Sequence, residues 1–234
     1  LAEAAIAAGV ERFVFASSVM VHGSTDVAIT AATPPAPEVD YGRVKLDVER
    51  DLERLAAGSA MRIASVRLPH VYGANDLLFT RLSPGTLVVP GRGDRPYAHL
   101  HVHDAARVLI AAAESGWSGA SAIGDREPVG WRTFLAEVQR RLPRALIVRA
   151  PAPLAALGVR VIWAATFGSR QLPSVYTADT VHAWNMSLPV DPEALWGELG
   201  IEPELPTHRE GIARTLDDWV DQGWRHPVRD RRRV

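Results

Sequence analysis

The sequence predicts an α/β protein built on a parallel sheet, and two observations carry that expectation. "LAEAAIAAG", "RFVFA", "YGRVKLDVERDLERLAA" and "MRIASVRL" alternate helix, strand, helix, strand along the first part of the chain, the pattern of parallel strands joined by helical crossovers. The composition is that of an ordinary globular protein, 47% hydrophobic and 23% charged over 234 residues, long enough for an ample core.

Taken in order, alanine-rich residues 1–9 read as the end of a helix, with Gly9 as its stop. Residues 12–16 are a short apolar strand, followed by a polar, Pro-rich loop through "TPPAPEVD". From Tyr41 to about Ala57, Val44, Val48, Leu52 and Leu55 recur at intervals of four, four and three, which marks an amphipathic helix. Residues 61–68 form a β-branched strand. "TLVVP" and "AHLHV" read as short strands, and "DAARVLIAAAES" (104–115) as a helix with Asp104 at its N-cap. "SAIGD" is a strand and "WRTFLAEVQRRL" a helix halted by Pro143. In "DPEALWGELG", Asp191 stands at the cap, Pro192 in the first turn and Gly200 after the last, and "THREGIARTLDDWVDQG" is a further amphipathic helix. Residues 153–168 are apolar, but shorter than the ~20 a membrane span needs and interrupted by Arg160, so a buried or interfacial helix is expected.

Charge and cysteine content narrow the function. A formal net charge of -1 argues against nucleic acid as a partner, because such a binder presents a broad basic surface. The terminal "RHPVRDRRRV" reads as a solvated tail. With no cysteine there are no disulfides, thiolate nucleophiles or Cys-based metal sites, which fits a cytoplasmic location. The N-terminus has no basic segment ahead of an apolar one, as a signal peptide would, and it begins with Leu, so a fragment of a longer protein is expected. Trp163, Trp184, Trp196 and Trp219 fall in apolar helical contexts and read as core or interface anchors.

The residues that can carry chemistry begin with Tyr41 and Lys45. A spacing of four puts both on one helix face. A free tyrosine titrates near 10, and a neighbouring ammonium lowers that value toward what a general acid/base needs. The chain has 25 arginines and one lysine, and the lysine is Lys45. With four tyrosines in 234 residues, its falling four after a tyrosine has a chance of about 2%. Arginine would not serve equally, since lysine is a compact point charge that can join a proton relay. Ser18 follows the "RFVFA" strand, at the end where parallel sheets place ligands, and its hydroxyl could hydrogen-bond a substrate oxygen beside Tyr41. His99, His101 and His103 alternate in "HLHVHD" and would share a strand face, but a strand running into a helix explains them without a metal.

Together "RFVFASSVMVHG", "YGRVKLDVE", "VRLPHVYG" and "HVHDAARVLIAAAE" resemble successive landmarks of the extended short-chain dehydrogenase/reductases, the NAD-dependent epimerase/dehydratase group, and "LWGELGIEPELPTHREGIARTLDDWV" resembles their usual ending. The resemblance implies a partial Rossmann-type parallel sheet with a small, mostly helical substrate-binding region. Residues 1–75 would be the C-terminal part of the dinucleotide-binding domain, and 76–234 the substrate region, with about 98–125 returning to the sheet. It implies NAD or NADP as cofactor, a small-molecule substrate, and Ser18, Tyr41 and Lys45 as the catalytic set. Tyr41 and Lys45 would also contact the cofactor, Lys45 at the nicotinamide ribose, and Pro69 would lie against the nicotinamide. Dimerisation through the Tyr41 helix is a further implication.

The sequence also departs from that group. None of its 18 glycines forms the G-x-x-G-x-x-G loop that holds the cofactor pyrophosphate, so the resemblance implies a chain entering the fold at its fourth helix. Nucleotide-sugar members carry an asparagine where this chain has His70. They carry a diphosphate-gripping arginine where it has Tyr97, with Arg95 as a displaced stand-in. Ser18, His70, Arg95 and Tyr97 are the expected substrate contacts. These departures favour the 3β-hydroxysteroid dehydrogenase-like and reductase branches over a nucleotide-sugar epimerase or dehydratase, with a non-catalytic remnant as a third reading.

Overall fold

A computed structural model describes residues 1–76, 78–79, 86–143, 145–165 and 177–221. The described helices are α1 (Ala2–Ala7), α2 (Asp40–Ala56), α3 (Val102–Glu114), α4 (Trp131–Arg141), α5 (Ala152–Ala165), α6 (Ala178–Ala183), α7 (Ala194–Leu199) and α8 (His208–Asp221). The strands are β1 (Arg12–Ser18), β2 (Arg62–Leu68), β3 (His70–Tyr72), β4 (Thr86–Pro90), β5 (His99–His101), β6 (Gly119–Ala122) and β7 (Leu146–Ala150).

Every strand pairing between these elements is parallel, as the alternation of helix and strand predicts. The main sheet runs in the order β1-β2-β6. Its register pairs Arg12 with Arg62 and Ser18 with Leu68, so β1 and β2 finish level with one another. Successive side chains of a strand point to opposite faces, and the packing follows that alternation. Phe13, Phe15 and Ile63 pack with Leu52 of α2 and Ile6 of α1. Val14, Ala64 and Val66 pack on the other side, with Val108 of α3 and Leu195 and Trp196 of α7. The result is a layered, Rossmann-like α/β arrangement. Two further parallel pairs, β3-β5 and β4-β7, surround a third apolar cluster rich in aromatic rings: Tyr72, Phe79, Tyr97, Trp131, Phe134 and Trp219.

Several elements differ in detail from the sequence reading. In α2 the buried residues are Gly42, Leu46, Glu49 and Leu52, whereas Val44 is 61% exposed and Leu55 37%. The helix is turned relative to its most apolar stripe because Glu49 has an inward partner, described below. Asp104 is not the N-cap of α3. His101 fills that role by accepting from the His103 amide, and Asp104, fully buried, accepts from the Glu204 and Leu205 amides and from Arg107. Helix α7 begins at Ala194, after a turn in which Asp191 accepts from the Glu193 amide, and Gly200 closes it at φ 66. Helix α5 is not a buried helix, since Leu154, Leu157 and Val161 are exposed; residues 166–168 of that predicted stretch lie outside the described residues. Among the described residues no helix is long and apolar enough to cross a membrane. Trp196 and Trp219 are buried and Trp184 half-buried; the side chain of Trp163 lies outside the described set.

Candidate active site at the ends of the first two strands

The level ends of β1 and β2 bring the chain's candidate residues to one edge of the sheet, the edge where parallel α/β sheets hold ligands. Ser18 is the last residue of β1. Its Oγ accepts from the Met20 amide at 3.2 Å and caps the short 3-10 turn Val19–Val21. The hydroxyl proton is left free to donate. Pro69 follows β2 directly and separates it from β3.

Tyr41 and Lys45 project from the first two turns of α2. Lys45 Nζ donates to the Ala16 carbonyl at 2.8 Å, two residues before Ser18. The same ammonium lies 4.8 Å from the Phe15 ring centroid and 5.7 Å from that of Tyr41, within cation–π range of both. Gly42 lets the helix come this close: a Cβ there would stand 1.9 Å from the Met20 carbonyl oxygen. Tyr41 and Ser18 therefore flank one tight contact between α2 and the turn after β1. The expected lowering of the Tyr41 phenol by Lys45 is not what this geometry gives. Burial pushes the phenol above its ordinary value of 10.0. The ammonium faces the ring and the strand, so desolvation of the phenolate outweighs it.

Beneath this edge lies an ionic cluster that the sequence reading missed. Glu49 of α2 is 2% exposed and Arg67 of β2 is 6% exposed. Arg67 donates to both Glu49 oxygens, Nε at 3.1 Å and Nη2 at 2.7 Å, a bidentate ion pair. Ser17 Oγ donates to the same carboxylate. Arg67 Nη1 reaches His22 Nε2 at 3.3 Å, and His22 Nδ1 stands 3.4 Å from the Pro34 carbonyl. Burial, then the Arg67 charge, lower the His22 pKa to about 4. His22 is therefore neutral, donating through Nδ1 and accepting through Nε2. The spacing Tyr41, Lys45, Glu49 was the available signal, since steps of four continue one helix face.

The expected substrate contacts fare unequally. His70 is half-buried; its Nδ1 lies 3.1 Å from His99 Nδ1 and its Nε2 3.3 Å from Asp76. His99 Nε2 is 3.0 Å from the Val129 carbonyl and so carries hydrogen, which makes its Nδ1 the acceptor for His70. Burial holds His99 neutral. Tyr97 is 2% exposed, its ring 5.4 Å from Trp131 and 5.7 Å from His99, and burial reinforced by Tyr41 raises its phenol. It belongs to the aromatic core cluster. Arg95 is exposed and donates through Nη1 to Ser24 Oγ at 3.2 Å, near the Glu38 carboxylate. His99, His101 and His103 do not share a face, because His103 has already entered α3 and pairs with Glu204 at 2.8 Å. Among the described residues no group of three His, Asp or Glu is arranged to hold a metal ion.

Solved structures share this architecture. MoeE5, solved in complex with UDP-glucuronic acid and NAD, superposes with a TM-score of 0.72 at 23% identity, covering 95% of this chain and 69% of that one. The UDP-glucose 4-epimerase of Thermus thermophilus, solved with NAD, gives 0.70 at 22% identity over 94% of this chain and 67% of its own. Among curated proteins, UDP-glucose 4-epimerase of Vibrio cholerae is 43% identical over 76 residues, 31% of this chain and 23% of the relative. An uncharacterized protein of Sinorhizobium fredii, y4nL, is 34% identical over 122 residues, 48% of this chain and 34% of the relative. The chain thus spans about a quarter to a third of the curated relatives it matches. The model of the NAD dependent epimerase/dehydratase family matches residues 1–123, the half that contains Ser18, Tyr41, Lys45 and Pro69, and the chain belongs to that family.

Proposed function

We propose that the protein carries out NAD(P)-dependent redox chemistry at a secondary alcohol or ketone carbon, with Tyr41 as the acid/base. The observation that carries this reading is the sole lysine of the chain bonded to the β1 end beside Ser18, over the ring of Tyr41. Lys45 suits the nicotinamide-ribose end of the cofactor. One of its three N–H groups is used by Ala16, and two remain for hydroxyl oxygens. Pro69 would lie against the nicotinamide, in the reading that makes 1–75 dinucleotide-binding and 76–234 substrate-binding. When bound, the nicotinamide supplies the hydride acceptor or donor. Tyr41, raised above 10, holds its proton at neutral pH and is set to donate it to a substrate oxygen. Ser18 donates its free proton to the same oxygen, and Lys45 neutralises the phenolate that forms.

A second reading is a nucleotide-sugar epimerase or dehydratase, favoured by the likeness to UDP-glucose 4-epimerase of Vibrio cholerae. The burial of Tyr97, at the position of a diphosphate-gripping arginine, favours a substrate without a diphosphate, such as the less polar alcohols of the hydroxysteroid dehydrogenase-like branch. Expressed from its full gene, the protein should bind NAD(H) or NADP(H), and Tyr41→Phe should abolish turnover with cofactor affinity nearly unchanged. Turnover of UDP-glucose without net NADH would select the second reading. Binding of neither cofactor would sink both.

A further inference from the structure

We propose that Glu49 is a positioning residue for the Tyr41–Lys45 pair, acting through Ser17; this rests on the chemistry proposed above. Tyr41, Lys45 and Glu49 occupy one face of α2 at steps of four. Three consecutive residues at the end of β1 answer them. Ala16 accepts from Lys45, Ser17 donates to Glu49, and Ser18 caps the turn on which Gly42 rests. Lys45 lies between two anchors. One is the Gly42 approach to Met20, which leaves no room for a side chain. The other is the Glu49 carboxylate, fixed by the bidentate grip of Arg67.

Each anchor alone leaves α2 a freedom. The Met20 contact sets the height of its first turn but permits rotation about the helix axis. The Arg67 pair sets rotation through β2, with Ser17 of β1 opposite Arg67 in the sheet register. The Ser17–Glu49 hydrogen bond adds a direct polar tie from that carboxylate to β1, the strand that holds Ala16 and Ser18. A carboxylate is suited to this, because two oxygens can accept from Arg67 and Ser17 together. His22 completes the arrangement as a neutral acceptor, so Arg67 is fully directed.

Lys45 is the one lysine of this sequence, so its acetylation by a trace of acetic anhydride is resolved by peptide mass spectrometry from that of the α-amine and of the tyrosine hydroxyls. In the wild type, its bond to Ala16 should make it slow. Ser17→Ala leaves the buried ion pair intact and removes only the link, and the acetylation rate should rise about fivefold or more as Lys45 leaves Ala16. Glu49→Asp, one methylene shorter, should give a similar rise. The double variant should rise no further than either alone, because both break the same link. Ser65→Ala, at a buried β2 serine outside the cluster, should leave the rate at the wild-type value. Equal rates in Ser17→Ala and wild type, additive rises in the double variant, or the same rise in Ser65→Ala would each overturn the proposal. The readout needs neither cofactor nor substrate, so it stands or falls separately from the redox reading.

Discussion

Replacing Gly42 by alanine tests the geometry on which the site depends. Two contributions oppose one another. Alanine in place of glycine within a helix is favourable by up to about 1 kcal/mol. The new Cβ, however, would stand 1.9 Å from the Met20 carbonyl oxygen, 2.7 Å from its carbon and 3.2 Å from the Pro37 Cβ. The obstacle is backbone in the turn that Ser18 caps, and a carbonyl held there cannot rotate away as a long side chain would. Relief to an ordinary carbon–oxygen contact of about 3.3 Å requires a shift on the order of 1.4 Å. Forcing extra volume into a well-packed contact costs about 1–3 kcal/mol, and against a backbone carbonyl the upper end applies, so the net effect should be a loss of about 2 kcal/mol. The same shift separates Lys45 from Ala16, now bonded at 2.8 Å. Under the proposed chemistry, a displacement of that size should lower turnover by about 10²-fold. Urea unfolding gives the stability, and acetylation of Lys45 gives the local displacement. A Gly42→Ala protein as stable as wild type, with Lys45 labelled at the wild-type rate, would refute the claim that this contact sets the helix.

The remaining predictions concern pH. His22 titrates near 6.5 when unfolded and about 4 when folded, so its contribution is fully present above pH 6.5 and is lost as pH falls from there toward 4, by up to about 3 kcal/mol. Urea unfolding at pH 7 and pH 4.5 should show that loss, and His22→Gln, which keeps an acceptor for Arg67, should flatten it; an unchanged slope would refute the assignment. Asp125 runs the other way. Burial raises it to about 8, offset only in part by the Glu127 amide, and neither oxygen has a well-aligned donor. Its contribution is therefore whole below pH 3.8 and is lost as pH rises toward 8, on the order of 5 kcal/mol. Asp125→Asn should be more stable than wild type at pH 8, with the difference vanishing near pH 4; a variant destabilised equally at both would contradict this.

What the sequence disclosed and what it hid separate by the range of the interaction. The alternation of helix and strand, and the pairing of Tyr41 with Lys45, depend on residues a few positions apart, so both were legible. The buried face of α2 was not. Periodicity scores Val44 and Leu55 as core, yet the helix buries Gly42 and Glu49, a residue with no side chain and a residue with a charge. Each is buried because of a partner elsewhere: the Met20 carbonyl for Gly42, and Arg67, eighteen residues away, for Glu49. Asp104 misled for the same reason. Its position at the head of a helix suggested a cap, but its partners are the amides of Glu204 and Leu205, a hundred residues distant. Arg95 and Tyr97 could be aligned with a substrate position, but only the fold shows Arg95 exposed with a bond to Ser24 and Tyr97 buried.

The one expectation about Tyr41 that failed bears on the chemistry. A lysine beside a tyrosine lowers the phenol only if its charge reaches the oxygen more effectively than burial penalises the phenolate. Here the ammonium stands over the ring face and is drawn to the Ala16 carbonyl, and the phenol rises. Under the proposed chemistry, Tyr41 would therefore act first as an acid, with the Ser18 proton also free to donate. On that chemistry, a phenol and a serine hydroxyl that both hold their protons would suit a carbonyl that takes up hydride and must then take up a proton. They would suit an alcohol less, because its proton must be removed first. Reduction under the proposed chemistry would use Tyr41 as it stands, whereas oxidation would require its phenol to be brought down before it could act as a base.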